Sequence, residues 1–170
     1  MGYSENFYYQ KFSEYPIPLC SAESLHDALS NRGWRDYDRD VRGGFMQQAV
    51  RKYLMALEAG DADRAASLFV PDGWVQSPFL GRLPVRDYVN TVARASSGSR
   101  LTVHDVLVSA EGHLRAVAYY LYDWSLKDGS NVSFDCADVF NFDANTGRIE
   151  SIVLVYDTRP VRAVVENKYP

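Results

Sequence analysis

An α+β fold, with helices on one face of a curved antiparallel sheet, is what this sequence predicts. Two observations lead there. Between residues 45 and 95 apolar residues recur at helical spacing. Beyond residue 100 the pattern changes to strand-like segments separated by turn signals. Helices first and strands second is the order of an α+β domain, and no internal repeat or second core interrupts it.

Residues 1–43 stand apart as an N-terminal arm. "YSENFYYQKFSEYPIPLC" is aromatic and polar with two prolines, so an extended or irregular course is expected. In "SAESLHDALSNRG", Ser21 and Ser24 supply an N-cap region, Leu25, Ala28 and Leu29 one apolar face, and Gly33 a stop. A short helix follows from that. "WRDYDRDVRGG" reads as a charged connector. The arm's aromatics are expected to pack on the main body or on a second subunit.

The main domain, 44–170, opens on the clearest helix, "FMQQAVRKYLMALEAGD". Phe45, Met46, Ala49, Val50, Tyr53, Leu54 and Leu57 fall at helical spacing, and Gly60 suits the position just past the end. Asp61 can cap a second helix, "ADRAASLFV", which Pro71 ends. A short strand or turn is expected around Trp74–Ser77. "LPVRDYVNTVARASSG" reads as a third helix, with Pro84 in its first turn and Gly98 after it. Four strand segments follow: "LTVHDVLVSA", "HLRAVAYYLYDWSLK", "NVSFDCADVFNFD" and "RIESIVLVYDT", the last ending before Pro160 and leaving a C-terminal tail. Asp128-Gly129 marks a hairpin between the second and third.

Bulk properties narrow the function. The 170 residues suit one domain. An apolar content of 46% with 12 tyrosines gives material for a core. A net charge of −4 and the lack of a basic cluster argue against nucleic acid as a partner. No apolar run approaches a membrane span, and the first residues lack the basic-then-apolar layout of a secretory signal. Cys20 and Cys136 form neither a metal spacing nor a disulfide framework, so a reduced, cytoplasmic setting is expected. His26, His104 and His113 fall on different elements, and no glycine-rich phosphate loop is present. No metal and no cofactor are therefore expected.

"YLMALEAGDADRAASLFVPDGWV" followed by "FLGRLPVRDYV" resembles the opening of the nuclear transport factor 2-like superfamily, in particular its SnoaL-like branch. The matching features are helix–Gly60-Asp61–helix, "LF" two residues before Asp72-Gly73, and Gly81 four residues before a helix carrying Tyr88. The last hairpin, "FNFDANTGRIESI", also fits. The resemblance covers about residues 45–158. It implies a cone-shaped α+β barrel in which three helices pack on the concave face of the sheet and enclose one pocket. Members include isomerases, dehydratases, polyketide cyclases, epoxide hydrolases and binding modules, so the resemblance is specific for fold more than for chemistry. It also implies a homodimer through the convex sheet face.

Three residues are the catalytic candidates. Tyr53 fits a core tyrosine with a satisfied hydroxyl; it also matches, by its distance from Gly60-Asp61, the oxyanion tyrosine of ketosteroid isomerases. Asp135 is a strand carboxylate in an apolar stretch, which needs a partner or a proton if buried; the resemblance sets it at the isomerase's protonated aspartate. A two-residue turn at Asp128-Gly129 would place Tyr122 opposite Asp135, so that Tyr120, Tyr122 and Trp124 share its face. A longer turn would shift the register by one and exchange the faces. His104 in "LTVHDV" resembles the base of scytalone dehydratase-like enzymes, and a histidine is the natural proton carrier near neutrality. The acid that orients it in those enzymes is missing from "RKY", leaving Asp135 to serve. "QSP", with Ser77, replaces the aspartate that abstracts the isomerase's proton. Trp74, Phe79, Tyr120, Tyr122, Trp124, Ile152, Leu154 and Tyr156 are the expected substrate-binding lining. Together these point to an acid/base enzyme for a hydrophobic oxygenated small molecule: a cyclase, isomerase or dehydratase. A binding module or an accessory oxygenase-type subunit of the same fold is the other reading.

Overall fold

Helix α1 (Gly33–Glu58) buries Met46, Val50, Tyr53, Leu54, Ala56 and Leu57, the stripe that helical periodicity requires of a core-facing helix. The structure, a computed structural model, describes residues 33–165, with side chains from residue 41 onward; the short helix expected from residue 21 lies outside them, and Gly33, expected as its stop, is the first residue of α1. Among the described residues, 39–165 belong to one compact unit. The stretch expected as a charged connector is helical, because α1 begins at Gly33. Gly60 ends the run at φ +66°, a conformation costly for residues with a Cβ. Gln47 Nε2 donates to the Val106 carbonyl at 2.9 Å, tying α1 to the sheet.

Asp61 caps α2 (Ala62–Ala66) by accepting from the Arg64 N–H. This helix is shorter than expected. Phe69 and Val70 leave it to begin β1 (Phe69–Ser77), where an aromatic and a β-branched residue gain more from the sheet. A short β2 (Gly81–Pro84), not anticipated, pairs back on β1. Pro84 then caps α3 (Val85–Ala95), which buries Val85, Tyr88, Val89 and Val92 at the i, i+3, i+4, i+7 spacing.

The strands β3 (Ser96–Val108), β4 (Arg115–Leu126), β5 (Asn131–Phe142) and β6 (Ile149–Val153) complete a curved, unclosed six-stranded sheet ordered β2-β1-β6-β5-β4-β3. β3 to β6 form the expected antiparallel meander, and β1 joins its edge parallel to β6. With four helices among the described residues, this is the cone-type α+β fold. The chain beyond β6, expected as tail, forms an eight-residue helix α4 (Thr158–Val165). Its Pro160 sits in the first turn, where a missing N–H costs nothing.

The β4–β5 register corrects the expected pairing. Leu126 N–H donates to the Ser130 carbonyl, so the loop is the three residues Lys127-Asp128-Gly129, with Gly129 at φ +86°. Asp128 braces it by accepting from the Ser130 N–H. One extra loop residue moves every pair by one. Tyr122 faces Phe134, and Leu121 faces Asp135. The inner face therefore carries Tyr120, Tyr122 and Trp124 with Phe134, Cys136 and Asp138. Ser133 and Asp135 belong to the outer face.

Candidate functional site

A cavity opens between the inner face of β4–β5, the β1–β2 connection, α3 and α4. Its free volume is about 40 Å³. Phe79, Tyr120, Tyr122, Trp124, Leu154 and Tyr156, six of the eight expected lining residues, surround it. The other two do not reach it. Trp74 lies on the opposite side of β1, under the Arg82 guanidinium at 3.9 Å, and Ile152 is fully buried in the core away from the cavity. Phe134, Cys136, Leu80, Tyr88, Val92, Val161 and Val165 join the lining.

Asp138, which is not among the candidates expected from the sequence, is the buried carboxyl of the cavity. It is 1% exposed and lines the cavity. Tyr120 Oη donates to its Oδ2 at 2.6 Å, and the Val155 N–H donates to its Oδ1 at 3.1 Å. The first distance is that of a charge-assisted bond. Both bonds favour the ionised carboxylate, but burial works against it, and a bare buried charge costs several kcal/mol. Burial wins: the carboxyl holds its proton up to about 7, against 3.8 in water. Among the lining residues no lysine, arginine or histidine offsets that.

The phenols around Asp138 stay protonated. Burial, with Asp138 next in weight, pushes Tyr120 and Tyr53 well above 10. Tyr88 is raised chiefly by burial and then by Tyr53. Tyr53 is fully buried, edge-on to Phe69 at 5.7 Å and to Phe140 at 5.6 Å. Its hydroxyl has no hydrogen-bond partner among the described residues. It lies close enough to Asp138 for the carboxyl to act on it, behind the cavity wall rather than in the lining. Burial also pushes the Cys136 thiol up, away from reactivity. Ser77 is structural: its Oγ accepts from the Phe79 and Leu80 N–H groups at 3.3 and 3.2 Å, holding the turn at the rim.

His104 and Asp135 do meet, but outside this cavity. His104 Nε2 is 3.9 Å from Asp135 Oδ1, and the two side chains are 41% and 64% exposed. The imidazole rests on Tyr119, centroid to centroid 4.8 Å. The three catalytic candidates are thus split. Tyr53 is near the buried carboxyl, and the other two form a pair on the outer face of the sheet. Among the lining residues Asp138 is the only carboxyl. That group can give and take a proton at neutral pH, and the phenols beside it can hydrogen-bond an oxygen. Among the described residues no three metal-ligating side chains gather, and no helix is long and apolar enough to cross a membrane.

Comparison with known proteins agrees with this architecture. The sequence model of the SnoaL-like domain matches residues 50–152. A search of curated proteins finds no match. Among solved structures, the chain is similar to SalBIII, an epoxide hydrolase/cyclase-like enzyme of pyran ring formation in polyether salinomycin. That likeness has a TM-score of 0.57 at 17% identity, over 68% of this chain and 92% of that one. A protein of ketosteroid isomerase-like fold from Catenulispora acidiphila DSM 44928, in complex with trimethylamine, gives 0.59 at 13% identity over 68% and 89%. A cystatin-like fold from Methylobium petroleophilum PM1 gives 0.55 at 17% identity over 67% and 76%.

Proposed function

The chain belongs to the SnoaL-like domain family, and from that premise we propose that it is a cofactor-independent acid/base enzyme acting on a hydrophobic, oxygenated small molecule, with Asp138 as the proton carrier. The observation that supports this most is the cavity-lining carboxyl held protonated to about 7 beneath the Tyr120 hydroxyl. A group with that affinity works in either direction at neutral pH.

Ring closure by epoxide opening fits a single such group. Asp138 gives its proton to the epoxide oxygen as that C–O bond breaks. A hydroxyl of the same substrate attacks the carbon and forms the new C–O bond. Its proton then returns to the carboxylate. Atoms and charge balance without water, metal or a second base. Tyr120 stabilises the carboxylate left on Asp138 through its bond to it, and Tyr53 acts on the same carboxyl from behind the cavity wall. An isomerisation or dehydration would draw on the same carboxyl. The likeness to SalBIII supports the cyclase form through shared fold alone.

The protein works in the cytoplasm as a homodimer, joined through the outer sheet face. Exposed Leu107, Tyr119 and Val155 supply apolar surface there. A non-catalytic binding module would use the same cavity, and Ser77 standing where the isomerases have their proton-abstracting aspartate favours it. One experiment separates the two. A γ,δ-epoxy alcohol is offered to the protein and cyclic ether is measured. Wild type converts it, and Asp138→Asn is slower by about a hundredfold or more while still binding it. Equal rates in both proteins, or binding without conversion by wild type, would sink the catalytic reading.

A further inference from the structure

The cavity's free volume of about 40 Å³ is far below the ~300–1,000 Å³ usual for a ligand pocket. For a substrate able to close a ring to enter, part of the wall must give way. β4 and β5 are paired on both edges within the sheet, and α3 is anchored by four buried side chains. Helix α4 is different. It is eight residues long, and only Val161 and Val165 are buried. Both line the cavity. Opposite them, Phe79 stacks on Tyr156, and the Arg162 guanidinium sits over the Phe79 ring at 5.2 Å. That contact links α4 to the β1–β2 connection across the mouth.

We propose that α4 is the removable wall of the cavity, that Val161 and Val165 set the size of ligand it admits, and that Arg162 over Phe79 is its latch. The inference rests on the cavity being the ligand site. Undocking exposes two valines, which disfavours the open form on the order of 10²- to 10⁴-fold. The helix is therefore shut most of the time and open often enough to admit a ligand. Removing methyl groups from the two valines widens the site. Removing the latch speeds opening without changing the space inside.

The test uses acetone and naphthol, a small and a large oxygenated probe, followed by NMR at the indole N–H of Trp124, a lining residue that donates from that group to Ser96 Oγ at 2.7 Å. Alanine is a strong helix former, so Val161→Ala/Val165→Ala keeps α4 helical. That variant should bind naphthol about tenfold more tightly than wild type does, with acetone changed less than about twofold. Arg162→Gln should admit naphthol about two- to fivefold faster at nearly unchanged affinity. Both probes binding every protein with no dependence on size, or an Arg162→Gln rate equal to wild type, overturns the gate and leaves the site. Failure of both probes to bind any of the proteins overturns the site and the gate together.

Discussion

Asp135 and Asp138 stand three residues apart on β5 and occupy two different media. Asp135 is largely exposed on the outer face beside His104. Asp138 is 1% exposed and lines the cavity under a tyrosine hydroxyl. Their side chains are chemically identical, so sequence type alone does not distinguish them. Strand parity does, because alternate residues point to opposite faces. A carboxyl in water is an ordinary anion at pH 7; the same carboxyl in an apolar hollow is a usable acid.

The largest expected effect breaks the comparison directly. Asp138→Asn should lower turnover by about 10²- to 10⁴-fold, while Asp135→Asn should stay within about twofold. Comparable losses in both would mean that the outer face does chemistry too. A second consequence appears in stability. The unfolded chain releases this proton near 3.8, while the folded protein keeps it to about 7. Above 3.8 the unfolded state binds fewer protons, so the fold loses stability as pH rises from about 4 to about 7 and levels off above. The full gap is worth roughly 4 kcal/mol. Denaturant melts across that range should show the decline in wild type and lose this component in Asp138→Asn.

Tyr53 sharpens the same contrast on a smaller scale. Its hydroxyl is buried without a partner, a condition that costs about 1–3 kcal/mol. Tyr53→Phe should therefore melt at a higher denaturant concentration than wild type while turning over about tenfold more slowly. A gain in stability with full turnover would leave Tyr53 a packing residue. The smallest effect belongs to His104. His104→Ala breaks an exposed pair worth ~0–1 kcal/mol, and turnover should hold within about twofold.

Much of the fold was legible because its signals are local. Helical spacing gave α1 and α3, Gly60 and Asp61 gave the α1–α2 junction, and the turn residues gave the meander. The site was half legible. The inner face of β4 followed from its tyrosines, but β5 was assigned through the turn, and a three-residue loop at Lys127-Asp128-Gly129 reverses the answer a two-residue loop would give. The strand's own pattern was the better guide. Val132, Phe134, Cys136, Phe140 and Phe142 occupy one parity and Ser133, Asp135 and Asn141 the other, and Asp138 falls with the apolar set. Helix α4 was hidden by Pro160, which reads as the end of a strand although it equally suits a helix's first turn. Val161 and Val165, four residues apart, were its signal.

The central claim is that burial, resisted by two hydrogen bonds, holds the Asp138 carboxyl in its acid form up to neutrality. Carbon-13 NMR of the aspartate side-chain carboxyls, titrated from pH 3 to 9 and assigned with Asp138→Asn, measures it directly. A midpoint near 7 for Asp138 is the result this account predicts. A midpoint near 4, the value of an aspartate carboxyl in water, would contradict it.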